Sequence, residues 1–208
     1  MIGIYHQFIF VHIPKTAGNA LQSVLSSYSE DAIVVGDNKD GVHRFGLYSA
    51  YGTVKHSTLA DYLAALGPES FWSKRKFACV RNPWERAISF YFSPHRGCDT
   101  WDRNEFIRLL DEIHPMTTYL RLPIDTAGTR PDHNLDLIIR YEQLNKDFSR
   151  LCDILDIAGG SLPILNQGSR QPYFDYYDPE LVQIVADRFR EDIEVFGYEF
   201  EPCNRKPA

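Results

Sequence analysis

The chain has 208 residues, of which 44% are hydrophobic, 13% aromatic and 24% charged, enough apolar material for a packed core and too much for a disordered segment. Its formal net charge of −6 disfavours a dedicated nucleic-acid or polyanion binder, while leaving room for a local basic pocket. No apolar run approaches the ~18 residues of a membrane span, and the start "MIGIYHQFIFVHIPK" has neither a basic leader nor a small-residue cleavage site, so it reads as structure.

Residues 8–13 form a short, nearly continuous apolar run, the pattern of a parallel strand covered on both faces. Ala20, Leu21, Val24, Leu25 and Tyr28 follow at helical spacing. Residues 32–35 read as a second strand. Ser57 is placed to cap a helix that runs to Leu66 and ends at Gly67-Pro68. Residues 77–80 are another apolar strand, after which Pro83 suits a first helical turn and 84–92 a helix. An amphipathic helix is expected over 102–113, a strand over 137–139 and a helix over 142–155. Asp178-Pro179 opens a last long helix towards Phe196, stopped by Gly197. Strands alternating with helices predict an α/β fold with a mainly parallel sheet. Residues 93–101 and 115–134 are rich in loop formers and suit lids or substrate loops.

The four cysteines, Cys79, Cys98, Cys152 and Cys203, form no C-x-x-C pair and have irregular spacing. Neither a zinc site nor a disulfide framework is expected, and Cys79 and Cys152 sit in apolar surroundings. The expectation is one domain over 1–208, located in the cytoplasm.

Two stretches carry chemistry. In "FVHIPKTAGNAL", an apolar strand runs through Pro-Lys-Thr-Ala-Gly into a helix start, where unpaired N–H groups and the helix dipole favour an anion. Gly18 permits close backbone approach to a ligand, and Lys15 adds a charge on a flexible stem. In "FACVRNPWERAISFYF", a second strand delivers Arg81 at its carboxyl end, where open α/β sheets bind ligands. A planar guanidinium there suits bidentate phosphate contact or a salt bridge to a carboxylate; Ser89 lies two helical turns further on, and Arg86 between them reads as a solvated helix charge.

Together, "HIPKTAGNA" and "VRNPWERAISFY" resemble the two phosphate-binding motifs of PAPS-dependent sulfotransferases, in particular the branch of heparan-sulfate 2-O- and HNK-1-type carbohydrate sulfotransferases and their small bacterial relatives. "IIRYEQLNKDF" and "DIEVFGYEF" extend the resemblance over most of the chain. The resemblance implies a P-loop-like three-layer fold. It also implies 3′-phosphoadenosine 5′-phosphosulfate (PAPS) as donor and the bisphosphate PAP as product. On that implication Lys15 contacts the phosphosulfate and its bridging oxygen. Thr16, Ala17, Gly18, Asn19 and Ala20 surround the 5′-phosphate, and Arg81 and Ser89 hold the 3′-phosphate. Relatives commonly carry hydroxyl residues where this chain has Asn19-Ala20; Asn19 can still donate a hydrogen bond. The loop "NQGSRQPYFDYYD" corresponds to a region that closes over the nucleotide, which makes Asn166, Ser169 and Arg170 candidate contacts and leaves Tyr173, Tyr176 and Tyr177 to packing.

An acceptor hydroxyl needs a base. The family carries its histidine between the two motifs, and here Lys55-His56 occupies that interval, with His43 as the alternative. His12, inside the first strand, reads as structural, and Lys55 as an assisting or solvated charge. The leaving group is already a stable anion, so the remaining tasks are charge neutralisation at the bridging oxygen and in-line alignment, with no metal required. The acceptor is expected to be a carbohydrate or small molecule, reached through His95, Arg96, Tyr119, Arg121 and Arg130 in the two loops; three arginines there could attract an acidic acceptor. No nucleic-acid partner is expected, and oligomeric state is not encoded in any pattern. An ATP-dependent small-molecule kinase and a non-catalytic nucleotide-binding protein remain the alternatives.

Overall fold

Alternating burial along two strands sets the architecture. Phe8 and Phe10 point into one core with Leu21, Leu25, Phe77, Cys79, Phe148 and Leu151. Their neighbours Ile9 and Val11 enter a second core with Leu59, Ala78, Val80, Ile88, Phe106 and Leu181. Such strands are stable only in a sheet covered on both faces. The computed structural model describes residues 1–34, 46–93, 96–163 and 171–201. These form strands β1 (Ile2–Gly3), β2 (Phe8–Val11), β3 (Ala32–Val34), β4 (Gly46–Tyr48), β5 (Arg75–Val80) and β6 (Leu137–Arg140). The helices are α1 (Gly18–Leu25), α2 (Leu59–Trp72), α3 (Pro83–Tyr91), α4 (Arg103–Leu110), α5 (Leu144–Leu155), α6 (Pro179–Arg188) and α7 (Arg190–Phe196).

The central sheet has the order β1-β2-β5-β6. β2, β5 and β6 are parallel, with Phe10 opposite Phe77 and Phe77 opposite Leu137. β1 is an antiparallel edge, pairing Ile2 with Ile9. The first core lies under α1 and α5, the second under α2, α3, α4 and α6, giving three layers and the mainly parallel α/β fold expected of a P-loop-like protein. Each large apolar side chain in these layers contributes about 1.5–3 kcal/mol on burial, and Phe8, Phe10 and Phe77 are almost wholly inaccessible.

Several boundaries depart from the sequence expectation. β3 forms, but outside the central sheet; it pairs antiparallel with β4, Ile33 opposite Leu47, and its side chains are half-exposed or exposed. Val35 lies outside the described residues. The cap of α2 is Thr58, not Ser57. Thr58 Oγ1 accepts from the Asp61 amide at 3.2 Å while the Asp61 carboxylate accepts from the Thr58 amide at 2.7 Å, a reciprocal capping box. Ser57 Oγ instead accepts from the Val54 amide at 2.9 Å. Gly67 does break the helix, at φ 72° and ψ 161°, but Pro68 fits the first turn of a second helical segment that continues to Trp72. The long C-terminal helix is two, parted at Phe189 (φ −115°, ψ 29°), whose buried ring anchors the corner. Gly197 ends α7 in the left-handed region at φ 65°. α4 and α5 are shorter than expected: Asp102 caps α4 by accepting from the Glu105 amide at 2.8 Å, and a 3₁₀ turn at Tyr141–Gln143 precedes α5.

Cys79 and Cys152 are buried, and burial pushes both thiols up, away from nucleophilic chemistry. Cys203 lies outside the described residues. No described helix is long and apolar enough to cross a membrane.

Candidate active site

The parallel neighbours β2 and β5 end side by side, and each releases its chain into a turn and a helix. At the end of β2, Lys15 and Ala17 both occupy the left-handed region, at φ 69° and 68°, with Thr16 between them at negative φ. Alternation of this kind turns successive N–H groups towards one point, a concavity suited to an anion. Left-handed backbone costs a non-glycine residue roughly 1–2 kcal/mol, so the turn is held by other contacts. Thr16 is fully buried and its Oγ1 donates to the Ile13 carbonyl at 2.8 Å. α1 then begins after Ala17 with no side-chain cap, leaving its first N–H groups unclaimed by a capping side chain. Gly18 is required by space: a Cβ there would lie 2.0 Å from His12 Cδ2. The His12 ring that fills this space bonds through Nδ1 to Gln22 Oε1 at 2.8 Å. Asn19 Oδ1 is buried and has no hydrogen-bond partner among the described residues, and Ala20 beside it in the chain is also buried.

At the end of β5, Arg81 is buried and reaches back across the sheet edge. Its Nη1 donates to the Lys15 carbonyl at 3.2 Å, so the two motifs are joined directly. Its guanidinium stacks on Tyr141, 3.8 Å from the ring centroid, and Nη2 pairs with Glu85 Oε1 at 2.7 Å. Asn82 caps α3, its Oδ1 accepting from the Trp84 amide at 3.1 Å. Lys15 Nζ donates to Ser93 Oγ just beyond α3, at 3.0 Å. Ser89 is buried on α3 and forms no hydrogen bond with Arg81 or the turn.

His56 completes the group. Its Nδ1 lies 2.9 Å from the His12 carbonyl oxygen. A carbonyl only accepts, so Nδ1 carries the proton and Nε2 keeps its lone pair, the tautomer a general base needs. The rings of His12 and His56 meet edge to face with centroids 4.7 Å apart. Burial pushes the His56 pKa below the ordinary imidazole value; the bond to His12 opposes this, and the charges of Lys55 and Arg86 add to it. His12 is driven well below 6.5, first by burial and then by His56 and Lys55, and stays neutral. Its structural role agrees with the sequence reading.

Arg86 overturns its reading as a solvated charge. It is 1% exposed, donating from Nε to the Pro14 carbonyl and from Nη1 to the His114 carbonyl, both at 3.0 Å. Burial lowers its pKa to about 10, with Asp192 opposing, so it remains charged at neutral pH. Asp192, itself buried, accepts from the Met116 and Thr117 amides at 2.8 and 2.9 Å. Arg86 thereby ties the β2 turn to His114, just before the 115–134 stretch. Its signal was helical spacing: it lies three residues before buried Ser89 and four before Phe90, on the same face.

Each of the loop arginines has a carboxylate partner. Arg96 pairs with Glu105 and Glu112, Arg121 with Glu191, and Arg130 with Asp132. Tyr173, Tyr176 and Tyr177 pack against the core, as expected. His43, His95, Asn166, Ser169 and Arg170 lie outside the described residues.

Structural similarity extends to mouse sulfotransferase SULT7A1 complexed with PAP, at 14% identity and a TM-score of 0.55, covering 92% of this chain and 86% of that one. A sulfotransferase from Alicyclobacillus acidocaldarius aligns at 15% identity and a TM-score of 0.48, covering 93% and 96%. No curated protein matches by sequence. Residues 4–199 match the Sulfotransferase family, almost the whole chain, and the protein belongs to that family.

Proposed function

We propose that this protein transfers a sulfuryl group from PAPS to a hydroxyl of a carbohydrate or small-molecule acceptor and releases PAP. The observation that carries the reading is the 3.2 Å bond from Arg81 to the Lys15 carbonyl, which sets a strained anion-binding turn and a buried guanidinium side by side. Two candidate phosphate receptors at the carboxyl ends of neighbouring strands suit a nucleotide phosphorylated at both 3′ and 5′ positions, and Arg81 Nε, buried and without a partner among the described residues, is a donor open to it. The PAP bound to the mouse neighbour supports the same choice.

In this reading the N–H groups of residues 16–20 take the 5′-phosphate, and Arg81 and Ser89 take the 3′-phosphate. Asn166, Ser169 and Arg170 add contacts from the C-terminal loop. Lys15 neutralises charge at the bridging oxygen as the sulfur–oxygen bond breaks, and His56 Nε2 receives the acceptor proton. The two motifs resemble those of the carbohydrate-sulfating branch, which supports a carbohydrate among the acceptors. With Arg96, Arg121 and Arg130 already paired to carboxylates, a neutral hydroxyl suits the site better than an acidic glycan.

The test is incubation with ³⁵S-labelled PAPS and a panel of sugars and small alcohols, with and without EDTA. Label should move to an acceptor and PAP appear at an unchanged rate in EDTA, because protein cations neutralise the leaving group. Phosphoryl transfer from ATP that vanishes in EDTA and returns with Mg²⁺ would establish the kinase alternative instead.

A further inference from the structure

The Arg81–Glu85 ion pair joins a buried guanidinium to a more exposed carboxylate through a single bond of 2.7 Å. The Arg81 side chain is 6% exposed, stacked on Tyr141 and tied to the Lys15 carbonyl, so it cannot move away. The Glu85 side chain is 25% exposed on the first turn of α3 and has solvent to swing into. Only one carboxylate oxygen is used, on Nη2. The adjacent donor on the same edge of the guanidinium, Nε, is buried and has no partner among the described residues. That edge presents two parallel N–H groups, the fork that pairs with two oxygens of a phosphate. Glu85 half-fills it.

We infer that Glu85 competes with the nucleotide's 3′-phosphate for the side edge of Arg81 and acts as a residue that promotes product release. The inference rests on the reading that Arg81 receives the 3′-phosphate. Two anions cannot share the edge, since like charges in a desolvated site repel strongly. The phosphate, with an oxygen for Nε as well as for Nη2, displaces the carboxylate on binding. When PAP leaves, Glu85 returns and the buried guanidinium is not left uncompensated, a state that would otherwise hold the product in place. Glu85 thus trades nucleotide affinity for exchange, which matters wherever product release limits turnover.

The test uses Glu85→Gln and Glu85→Ala in the full chain, with melting temperature measured without nucleotide and PAP and ADP binding measured by calorimetry. The expected pattern is split. Both variants melt lower than wild type, because a buried arginine loses its counter-charge, yet bind PAP about ten-fold tighter, while ADP affinity, lacking a 3′-phosphate, stays within about two-fold. A residue that merely orients Arg81 would lower stability and PAP affinity together, so weaker or unchanged PAP binding by folded variants overturns the inference. Wild-type protein that binds ADP as tightly as PAP removes its premise instead, and does so before either variant is considered.

Discussion

Lys15→Ala lowers sulfuryl-transfer turnover by at least ~10²-fold, the loss that follows removal of one preorganised charge stabiliser. The substitution is clean because the backbone cost is already present. Lys15 sits at φ 69°, an equally strained position for alanine, and the turn is held by the buried Thr16 hydroxyl and by Arg81 bonding to the residue-15 carbonyl, which alanine retains. What disappears is the ammonium group, positioned across the mouth between β2 and α3 by Ser93 Oγ at 3.0 Å. Circular dichroism and melting curves check the fold, and labelled PAPS measures the rate. Wild-type turnover in a folded Lys15→Ala protein would remove the assignment.

His56→Ala should keep PAP binding and lose roughly 10²- to 10⁴-fold in rate, the usual yield of a positioned general base. The bond from Nδ1 to the His12 carbonyl fixes which nitrogen acts. The pH profile carries the signature of this residue. A base works when deprotonated, so activity is full above its folded pKa and falls as pH drops through it. The His56 pKa in the free protein is pushed below 6.5, which places the acid limb of kcat/KM below that value. Stability has its own acid limit. His12 stays neutral when folded but takes a proton near 6.5 when unfolded, so its contribution is complete above that pH and is lost as pH falls. Melting curves at each pH separate the two effects. His43→Ala is the comparison variant; if it is inactive and His56→Ala is not, the base is His43.

The strands that build the site were legible because both of their faces are buried, and an apolar run as short and continuous as residues 77–80 suits a covered strand better than a helix of three or four turns. The candidate phosphate turns stood out for a related reason: Lys15 and Arg81 each stand where an apolar strand gives way to a turn and helix. The particular partners of Arg81 were not read from the sequence, which left open a phosphate or an unnamed carboxylate. Glu85 is four residues along the same helix start, and Tyr141 follows the carboxyl end of β6. Other features were hidden. β3 carries the composition of a strand, but its partner β4 lies across a long connection, and nothing local says whether such a pair joins the central sheet. The break at Phe189 has no glycine or proline to mark it; packing of one ring decides it. Ser57 and Thr58 are both competent caps, and Asp61 selects Thr58 by standing three residues after it.

The choice of nucleotide is the claim on which the rest depends, and calorimetry with PAP and ADP on wild type and Arg81→Ala tests it without knowledge of the acceptor. ADP offers a second phosphate at the 5′ end; PAP offers it at the 3′ position, where Arg81 and Ser89 would meet it. A desolvated charge-assisted contact of this kind is worth on the order of 2–5 kcal/mol when one partner is removed. Wild-type protein should therefore prefer PAP by tens- to thousands-fold. PAP should raise the melting temperature at concentrations where ADP has little effect. Arg81→Ala should erase most of that preference while the Lys15 turn keeps weak 5′-phosphate binding. ADP bound as tightly as PAP by the wild-type protein would contradict the 3′-phosphate site, and with it sulfuryl transfer from PAPS.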